Sequence, residues 1–223
     1  MQPGKTVVFD PSEHSPMDCQ FTLSQLVVPR PIGLVSTQSP DGIPNIAPMS
    51  YYMPITGSPM LVGITMGLRE DGSLKHSYEN AMASGDFVIN VTSDHFAQQI
   101  EDVAIETPAD VDEFGLVDWT PVPAAKVSSP AIGEALARME CTVHKVVDLG
   151  QPGEIFGEVH LVVGEVVWVE YDEDIQNERG RIDPLRLTPV GRLGLRSFLR
   201  TVPEGVYSLP RIPWDEHPLR NKA

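Results

Sequence analysis

Residues 28–50 read Val28-Pro-Arg-Pro-Ile-Gly-Leu-Val-Ser-Thr-Gln-Ser-Pro-Asp-Gly-Ile-Pro-Asn-Ile-Ala-Pro-Met-Ser50, and this stretch decides the fold. Its apolar residues 32–35 predict a short strand, and Pro40-Asp41-Gly42 supplies turn chemistry, a pattern typical of a β-hairpin. The return arm, residues 44–48, contains two prolines, and proline cannot donate a hydrogen bond to a central ladder. We therefore expect this arm at a sheet edge or outside the sheet, with its backbone free to face a ligand.

The same hairpin carries polar side chains that suit a ligand. Ser36, Thr37, Asn45 and Ser50 place hydroxyl groups and one amide along a short stretch of chain. Such groups fit a phosphate or the polar edge of a ring. An ordinary hairpin rich in serine and asparagine explains the same residues, and the local sequence leaves both interpretations open.

Short strands separated by turn signals dominate the rest of the chain. Apolar runs and period-two alternation predict strands at residues 60–65, 86–91, 138–147 and 154–171. The last of these is one long strand or two short ones, preceded by a turn at 150–153. A helix is predicted at residues 75–83, ended by Ser84-Gly85. Because strands and helices do not alternate as they do in βαβ units, the pattern favours a small antiparallel barrel or sandwich with attached helices.

Two segments between the predicted strands are less regular. Residues 93–105 have apolar residues at nearly helical spacing. Residues 106–130 are acidic and rich in proline, and we predict a long excursion over the surface that is organised by Phe114, Leu116 and Trp119.

The length of 223 residues is consistent with one domain. We interpret residues 1–20 as an N-terminal arm, residues 21–201 as the folded domain and residues 202–223 as a proline-rich tail. No run approaches the roughly 20 apolar residues that span a bilayer, and the N-terminus lacks a signal-peptide pattern. A cytoplasmic location without membrane contact is therefore expected.

Composition argues against several classes of function. The formal net charge of −15 opposes attraction to nucleic acid or to anionic lipid. Cys19 and Cys141 lack C-x-x-C spacing and are expected to be inert thiols, and the six histidines show no pair at ligand spacing, so no metal site is predicted. The G-x-S-x-G, G-x-x-x-x-G-K-[ST], H-E-x-x-H and G-x-G-x-x-G signatures are absent.

A second polar cluster lies at the start of the predicted helix 75–83. Lys75, Ser77 and Asn80 surround a helix N-terminus, where free N–H groups and the helix dipole favour an anion. A first turn with solvent-facing polar residues is the alternative, and the local sequence weighs the two about equally.

Taken in order, these stretches resemble the flavin reductase-like FMN-binding split-barrel family. No single piece is specific, but the ordered set covers roughly residues 10–200. The matching pieces are Val28-Pro-Arg-Pro-Ile32, Val35-Ser-Thr37 with Asp41-Gly42, Pro44-Asn-Ile-Ala-Pro-Met-Ser50, Pro59-Met-Leu-Val-Gly63, Lys75-x-Ser77-x-x-Asn80, Gly85-Asp-Phe-Val-Ile-Asn90, Asp112-Glu-Phe114, Glu140-Cys141, Gly164-Glu-Val166 and Gly191-Arg-Leu-Gly194.

The resemblance implies a mainly β fold, an antiparallel Greek-key split barrel of residues 21–201, forming a homodimer with one FMN per subunit. It places Ser36, Thr37 and Ser50 on the ribityl-phosphate side of the flavin, with Lys75 and Ser77 on the phosphate. The backbone of Asn45, Ile46, Ala47 and Pro48 would line the isoalloxazine edge. Arg192 is a candidate cation near the ring or phosphate, and a structural salt bridge explains it equally well.

The chain departs from the family at the segment that seats the nicotinamide. Short reductases of the family usually carry Gly-Asp-His before the late strand, whereas this chain has Gly-Glu-Val at 157–159 and again at 164–166. Two alignments are open: one makes His160 a candidate nicotinamide contact but puts it one residue out of step, and the other leaves Gly153 at this position. One step along a strand moves a side chain to the opposite face.

These observations favour an FMN-binding oxidoreductase of the flavin reductase type. NADH or NADPH would pass a hydride to flavin N5, with no protein acid or base required, and the reduced flavin would serve an acceptor or a monooxygenase partner. One alternative is an FMN-holding electron-transfer or flavin-dependent enzyme that does not use a nicotinamide directly. Another is a non-catalytic dimeric binding protein whose acidic 106–118 loop and proline-rich tail form its working surface.

Overall fold

The structure is a computed structural model that describes residue 4, residues 6–150 and residues 158–216. Its helices are α1 (Pro16–Leu26), α2 (His76–Ser84), α3 (Glu113–Leu116) and α4 (Pro184–Leu187). Short 3-10 helices and loops join the remaining elements. The strands are β1 (Arg30–Pro31), β2 (Gly33–Gln38), β3 (Pro44–Met49), β4 (Tyr52–Gly57), β5 (Met60–Gly67), β6 (Asp86–Val91), β7 (Pro121–Val122), β8 (Ala131–Ile132), β9 (Ala137–Gly150), β10 (Glu158–Tyr171), β11 (Val190–Arg192) and β12 (Phe198–Arg200).

Seven strands form one antiparallel sheet in the order β3-β2-β6-β9-β10-β5-β4. β3 and β4 are consecutive in the chain yet lie at opposite edges, and only Ser50 and Tyr51 join them. A link of this length spans roughly 10 Å, so the sheet must curl until its two edges come together. The predicted mainly β, antiparallel fold is confirmed, and the closure puts Ser50 and Tyr51 at the junction of the two edges.

The hairpin formed by β2 and β3 is confirmed, and β3 occupies a sheet edge as its prolines predict. Pro44, Ile46 and Pro48 alternate along β3, and the Ile46 N–H points away from β2, because it donates to Glu113 Oε2 at 2.7 Å. The two prolines therefore occupy positions whose missing N–H groups leave the β2–β3 ladder intact.

β2 is buried on both faces, which separates two apolar clusters. Val35 packs on one side with Ile64, Phe87 and other residues that fill the interior of the curled sheet. Leu34 packs on the other side with Ile46, Phe96, Phe114, Trp119 and Ile132. The segment between β6 and β9 thus covers the outer face of the sheet and supplies the second cluster.

Several predicted elements are confirmed and others need correction. β5, α2, β6 and β9 occupy the predicted positions, and Gly85 ends α2 in the left-handed conformation. Residues 93–105 form two short 3-10 helices instead of a regular helix. In the 106–130 excursion Phe114 and Trp119 are buried as predicted, but Leu116 is 53% exposed, because it lies on the outward side of the four-residue helix α3. The predicted 150–153 turn and the beginning of the 154–171 strand lie largely outside the described residues, and β10 runs unbroken from Glu158.

Helix α1 begins at Pro16, within the segment 1–20 that we interpreted as an N-terminal arm. Ser15 caps it by accepting a hydrogen bond from the Asp18 N–H at 3.1 Å, and Pro16 occupies the first helical position. Arg30 then anchors the C-terminal end, because its Nη1 donates to the Val27 carbonyl at 2.9 Å and also to the Ser24 carbonyl. The helix is therefore tied to the start of the hairpin.

Both cysteines are free thiols. Cys141 is fully buried, and burial, with a smaller contribution from the charge of Glu140, raises the pKa of its thiol to about 12. It therefore stays a protonated, unreactive core residue, as the sequence predicts. None of the helices formed by the described residues is long and apolar enough to cross a lipid bilayer.

We expect Gly164→Ala to destabilise the fold by about 1–3 kcal/mol, the usual range for overpacking a core. A Cβ at this position of β10 would overlap the Phe87 ring, with Cε1 at 3.1 Å and Cys141 Cβ at 3.2 Å. Gly57→Ala is the matched control, since among the described residues no atom apart from those of its chain neighbours lies within 4 Å of its Cβ position. Urea unfolding of both variants checks the prediction, and equal losses of unfolding free energy would contradict it.

Candidate flavin site

Two adjoining cavities follow the junction between β3 and β4. The larger has a volume of about 470 Å³ and the smaller about 240 Å³. Gln20, Pro48, Ser50 and Tyr51 line both of them. We call the larger cavity the groove and the smaller one the Arg30 cavity, after the arginine in its wall. Their shared wall is the two-residue link that closes the barrel, together with the end of β3 and a residue of α1.

One end of the groove is cationic. Arg69, at the end of β5, and Lys75, at the start of α2, both line it. The Glu106 carboxylate lies between them, 4.0 Å from Arg69 Nε and 3.5 Å from Lys75 Nζ. Arg69 Nε is buried and has no hydrogen-bond acceptor among the described residues. The fold therefore holds two cations together around an anion position that one carboxylate only loosely fills.

The N-terminus of α2 adds backbone donors to this end. Lys75 is its N-cap residue, and within the described part of the chain its side chain makes no capping hydrogen bond. The first N–H groups of a helix lack intrahelical partners and carry the positive end of the helix dipole. Helix α2 has nine residues, so its dipole reinforces the charges of Arg69 and Lys75. The combination is suited to a phosphate group.

Asn45 is the hub of a buried hydrogen-bond network at the wall of a small pocket beside Lys75. Its Oδ1 accepts from Ser77 Oγ at 3.1 Å and from Thr37 Oγ1 at 3.3 Å. Asn80 Nδ2 in turn donates to Thr37 Oγ1 at 3.2 Å. The network joins the predicted hairpin cluster to the predicted α2 cluster, so two separate stretches of sequence form one structural unit.

Glu113 fixes this network to the outer layer. Its Oε2 accepts from the Ile46 N–H and from Asn45 Nδ2, and its Oε1 accepts from Thr107 Oγ1 at 2.6 Å. Glu113 is 5% exposed, and all of these partners are buried. The carboxylate therefore covers the open edge of β3 and sets the position of the strand that borders the groove.

Not every predicted site residue reaches a cavity wall. Ala47 lines a small pocket beside Lys75, and Pro48 lines that pocket as well as the groove. Ile46 packs its side chain into the outer apolar cluster. Ser36 is fully buried and donates to the Pro130 carbonyl at 2.6 Å, and Asn90 Nδ2 donates to it at 3.0 Å. The flavin contacts assigned to these residues stay predictions.

His160 and Val159 occupy opposite faces of β10, as the pleat requires. Val159 lines the groove. His160 stacks on Tyr78 of α2, with ring centroids 4.3 Å apart, and its Nδ1 lies 2.8 Å from Asp148 Oδ1. Burial, followed by the charges of Asp148 and Glu158, raises the pKa of Tyr78. An apolar side chain of β10 therefore faces the groove, whereas the imidazole of His160 is directed away from it.

Arg192 lies in the wall of the Arg30 cavity. It makes a structural ion pair, which is one of the two roles that the sequence left open for it. Its Nη1 is 2.7 Å from Glu101 Oε1, and its guanidinium lies 4.5 Å from the centroid of the Phe198 ring. Two backbone carbonyls, of Gly194 and Leu195, accept its other hydrogen bonds. Its main contribution to the cavity is positive potential.

Sequence reasoning missed Arg69, Glu106 and Glu113 as parts of the site. Arg69 follows the apolar run of β5 and sits 37 positions before Glu106, so no local spacing brings the two together. Glu113 belongs to Asp112-Glu-Phe114, one of the pieces that carry the family resemblance, and that was the only signal pointing to it.

Comparison with protein families now decides the class of protein. Residues 24–187 match the model of the flavin reductase-like domain. The chain belongs to the flavin reductase-like family. A family relative from Aquifex aeolicus is 32% identical over 179 residues, which span 80% of this chain and 88% of the relative. Another, from Halalkalibacterium halodurans, is 36% identical over 169 residues, spanning 75% of this chain and 79% of the relative.

Solved structures of similar proteins confirm the split barrel. Nitrilotriacetate monooxygenase component B from Bacillus cereus superposes with a TM-score of 0.85 at 26% identity, covering 93% of this chain and 100% of that one. A protein with a split barrel domain from Shewanella frigidimarina superposes with a TM-score of 0.75 at 21% identity, covering 93% and 99%. The predicted family and fold are both confirmed.

Proposed function

We propose that this flavin reductase-like protein binds FMN in the groove and acts as a flavin-dependent oxidoreductase. One observation carries the proposal: Arg69, Lys75 and the uncapped start of α2 form an anion-binding end on a groove whose other wall is Pro48, Ser50 and Tyr51. FMN has the matching shape, with a phosphate at one end and a planar ring system at the other.

The donor set fits a phosphate. Arg69 Nε is a buried donor without an acceptor among the described residues, and the Lys75 ammonium lies beside it on the same carboxylate. A phosphate would replace Glu106 at this point and accept from both cations and from the α2 backbone. In this arrangement Ser50 supplies a hydroxyl on the groove wall, while Ser77 and Thr37 act through Asn45.

Bound FMN would supply a ring nitrogen, N5, that accepts a hydride from NADH or NADPH. The chain's own residues would bind and orient the cofactor. The cationic end would hold the phosphate, and the backbone at Pro48 and Ser50 would lie along the ring. No side chain of the groove has to act as acid or base in such a transfer. The similarity to a monooxygenase component B supports a partner enzyme as the consumer of reduced flavin.

A second candidate function is an FMN protein that receives electrons without binding a nicotinamide. The observation that favours it is Val159, which presents a methyl-bearing side chain to the groove while His160 is directed at Tyr78. A valine can pack against a nicotinamide but cannot donate a hydrogen bond to its amide.

Homodimer formation is the second part of the proposal. Met53 and Ile55 on the edge strand β4 are about half exposed, as are Trp168 and Val169 on β10. Exposed apolar side chains on an edge strand and at the end of a long strand are a pattern of subunit interfaces. Light scattering after gel filtration tests this, and a monomer at micromolar concentration would overturn it.

The deciding experiment is an anaerobic absorbance titration of the protein reconstituted with FMN. Bleaching of the flavin band by NADH or NADPH supports the reductase and identifies the preferred nucleotide. Bound flavin that stays oxidised with both, yet is bleached by dithionite, selects the second candidate. Failure to retain or bind FMN at all would overturn both and favour the non-catalytic binding protein.

We expect Glu106→Gln to tighten FMN binding by roughly two- to tenfold. The substitution removes one partly exposed negative charge that would repel the negatively charged phosphate beside it. The carboxylate lies on the two cations that a phosphate needs, so it competes with the ligand. Glu178→Gln, on an exposed loop, is the control with the same change in net charge. Fluorescence titration with FMN measures both, and weaker binding by Glu106→Gln would show that Glu106 supports the site.

A further inference from the structure

Arg30 is a buried cation with no acidic partner. Its side chain is 7% exposed, and none of the ion pairs among the described residues includes it. Burying a charge without a counter-ion is unfavourable unless other groups solvate it. Here the carbonyls of Ser24 and Val27 and the Tyr51 ring, 5.4 Å from the guanidinium carbon, do so in part.

The unsatisfied part of Arg30 is one particular edge of its guanidinium. Nη1 is saturated by the two carbonyls at the end of α1. The opposite edge presents Nε–H and one Nη2–H side by side, the fork that binds a carboxylate through two parallel hydrogen bonds. On this edge Nε makes a single long contact of 3.5 Å to Ser50 Oγ, and Nη2 has no acceptor among the described residues.

The space beside this edge is the Arg30 cavity, of about 240 Å³. Its walls combine the two guanidinium groups with the hydroxyls of Ser50 and Tyr51 and with the apolar side chains of Phe21, Ile32 and Leu195. Arg192 is already paired with Glu101, so it adds positive potential without competing for Arg30. An inorganic anion would satisfy the charges but leave the apolar walls uncovered.

We propose that the Arg30 cavity is a binding site for a small organic carboxylate with an apolar body. The carboxylate accepts both hydrogen bonds of the Nε/Nη2 fork, and its apolar part packs against Phe21, Ile32 and Leu195. The volume suits a molecule of about a dozen non-hydrogen atoms, well below the size of a dinucleotide.

The position of this cavity gives the ligand a role. It shares the wall formed by Gln20, Pro48, Ser50 and Tyr51 with the groove. On the proposed function, a carboxylate bound there would lie next to the ring end of FMN and occupy the space beside the flavin. This role rests on flavin binding, whereas the carboxylate site itself does not.

The test uses the full chain without flavin and benzoate as the probe. In an NMR titration of ¹⁵N-labelled protein, benzoate is expected to saturate and to shift the Arg30 Nε–H signal, as formation of a forked ion pair does. Benzyl alcohol, which lacks the charge, and acetate, which lacks the apolar body, are expected to bind at least about tenfold more weakly, because each loses one half of the interaction. Equal binding of acetate and benzoate, or an unmoved Arg30 signal, would overturn the proposal.

Two sets of variants distinguish loss of the binding site from loss of the fold. Arg30→Lys keeps the charge but removes the fork, and we expect roughly tenfold or greater loss of benzoate affinity. Because Arg30 also anchors α1, a second pair of variants is placed at Leu195, which is 48% exposed. Leu195→Glu puts a carboxylate at the cavity and should abolish benzoate binding, while Leu195→Gln should retain it. Equal affinities of these two variants would overturn the proposal, and FMN binding by all of them, measured separately, tests the flavin function independently.

Discussion

Replacing Arg69 and Lys75 together by glutamine is expected to weaken FMN binding by about 100-fold or more. Each side chain would make at least one charge-assisted hydrogen bond to the phosphate, and such bonds contribute about 1.5–3 kcal/mol each. Arg69 is the larger contributor, because its buried Nε has no acceptor among the described residues until an anion arrives. Flavin fluorescence quenching gives both dissociation constants.

A control must remove the same two charges at another place. Lys145→Gln with Arg179→Gln does so on exposed positions of β9 and of the loop that follows β10. This control variant should bind FMN as the unmodified chain does, since neither residue lines the groove and both are exposed to screening by salt. If the Arg69/Lys75 variant keeps its FMN affinity, the phosphate is bound elsewhere and the proposed orientation of the cofactor is wrong.

The elements that could be predicted from sequence are those whose cause is local. The prolines at 44 and 48 put β3 at an edge because a missing N–H excludes a central position, whatever the rest of the chain does. Gly85 ends α2 because its left-handed conformation, with φ at 77°, suits glycine. The barrel closure depends instead on two sheet edges that meet across Ser50 and Tyr51, and it was accessible only through the family resemblance.

Buried acids are features for which the sequence offers no local signal. Asp86, Glu113 and Glu140 are each at least nine-tenths buried. Asp86 accepts hydrogen bonds from the backbone of Ser128 and Ser129, and Glu140 accepts from that of Ala125 and Lys126. Each carboxylate satisfies backbone donors of a segment distant in sequence, so no local pattern can reveal it.

In the candidate site, too, the sequence indicates single residues but not the contacts between distant segments. Ser77 and Asn45 were each singled out from their own stretch, and the structure joins them through one hydrogen bond of 3.1 Å. Ser36 looked equivalent to Thr37 in sequence, but adjacent residues of a strand face opposite sides. Thr37 therefore joins the Asn45 network, whereas Ser36 is hydrogen-bonded to Asn90 and Pro130.

Replacing Glu113 by alanine is expected to lower the free energy of unfolding by about 3 kcal/mol or more, since three buried donors lose their acceptor and each costs about 1–3 kcal/mol. These donors are the Ile46 N–H, Asn45 Nδ2 and Thr107 Oγ1. Because the first two belong to β3, the loss also frees the edge strand that borders the groove. FMN affinity should therefore fall with stability, although Glu113 touches no proposed flavin contact other than Asn45 and Ile46.

Glu113→Gln is the variant that separates the contribution of the hydrogen bonds from that of the carboxylate charge. Its amide oxygen can take the place of Oε2 and accept from Ile46 and Asn45, while its NH₂ group faces Thr107. The Thr107 hydroxyl can then rotate from donor to acceptor, so every partner stays satisfied. We expect this variant to lose less than half of what Glu113→Ala loses in urea unfolding. Equal losses would show that the carboxylate charge, and not the set of hydrogen bonds, holds β3 against the outer layer.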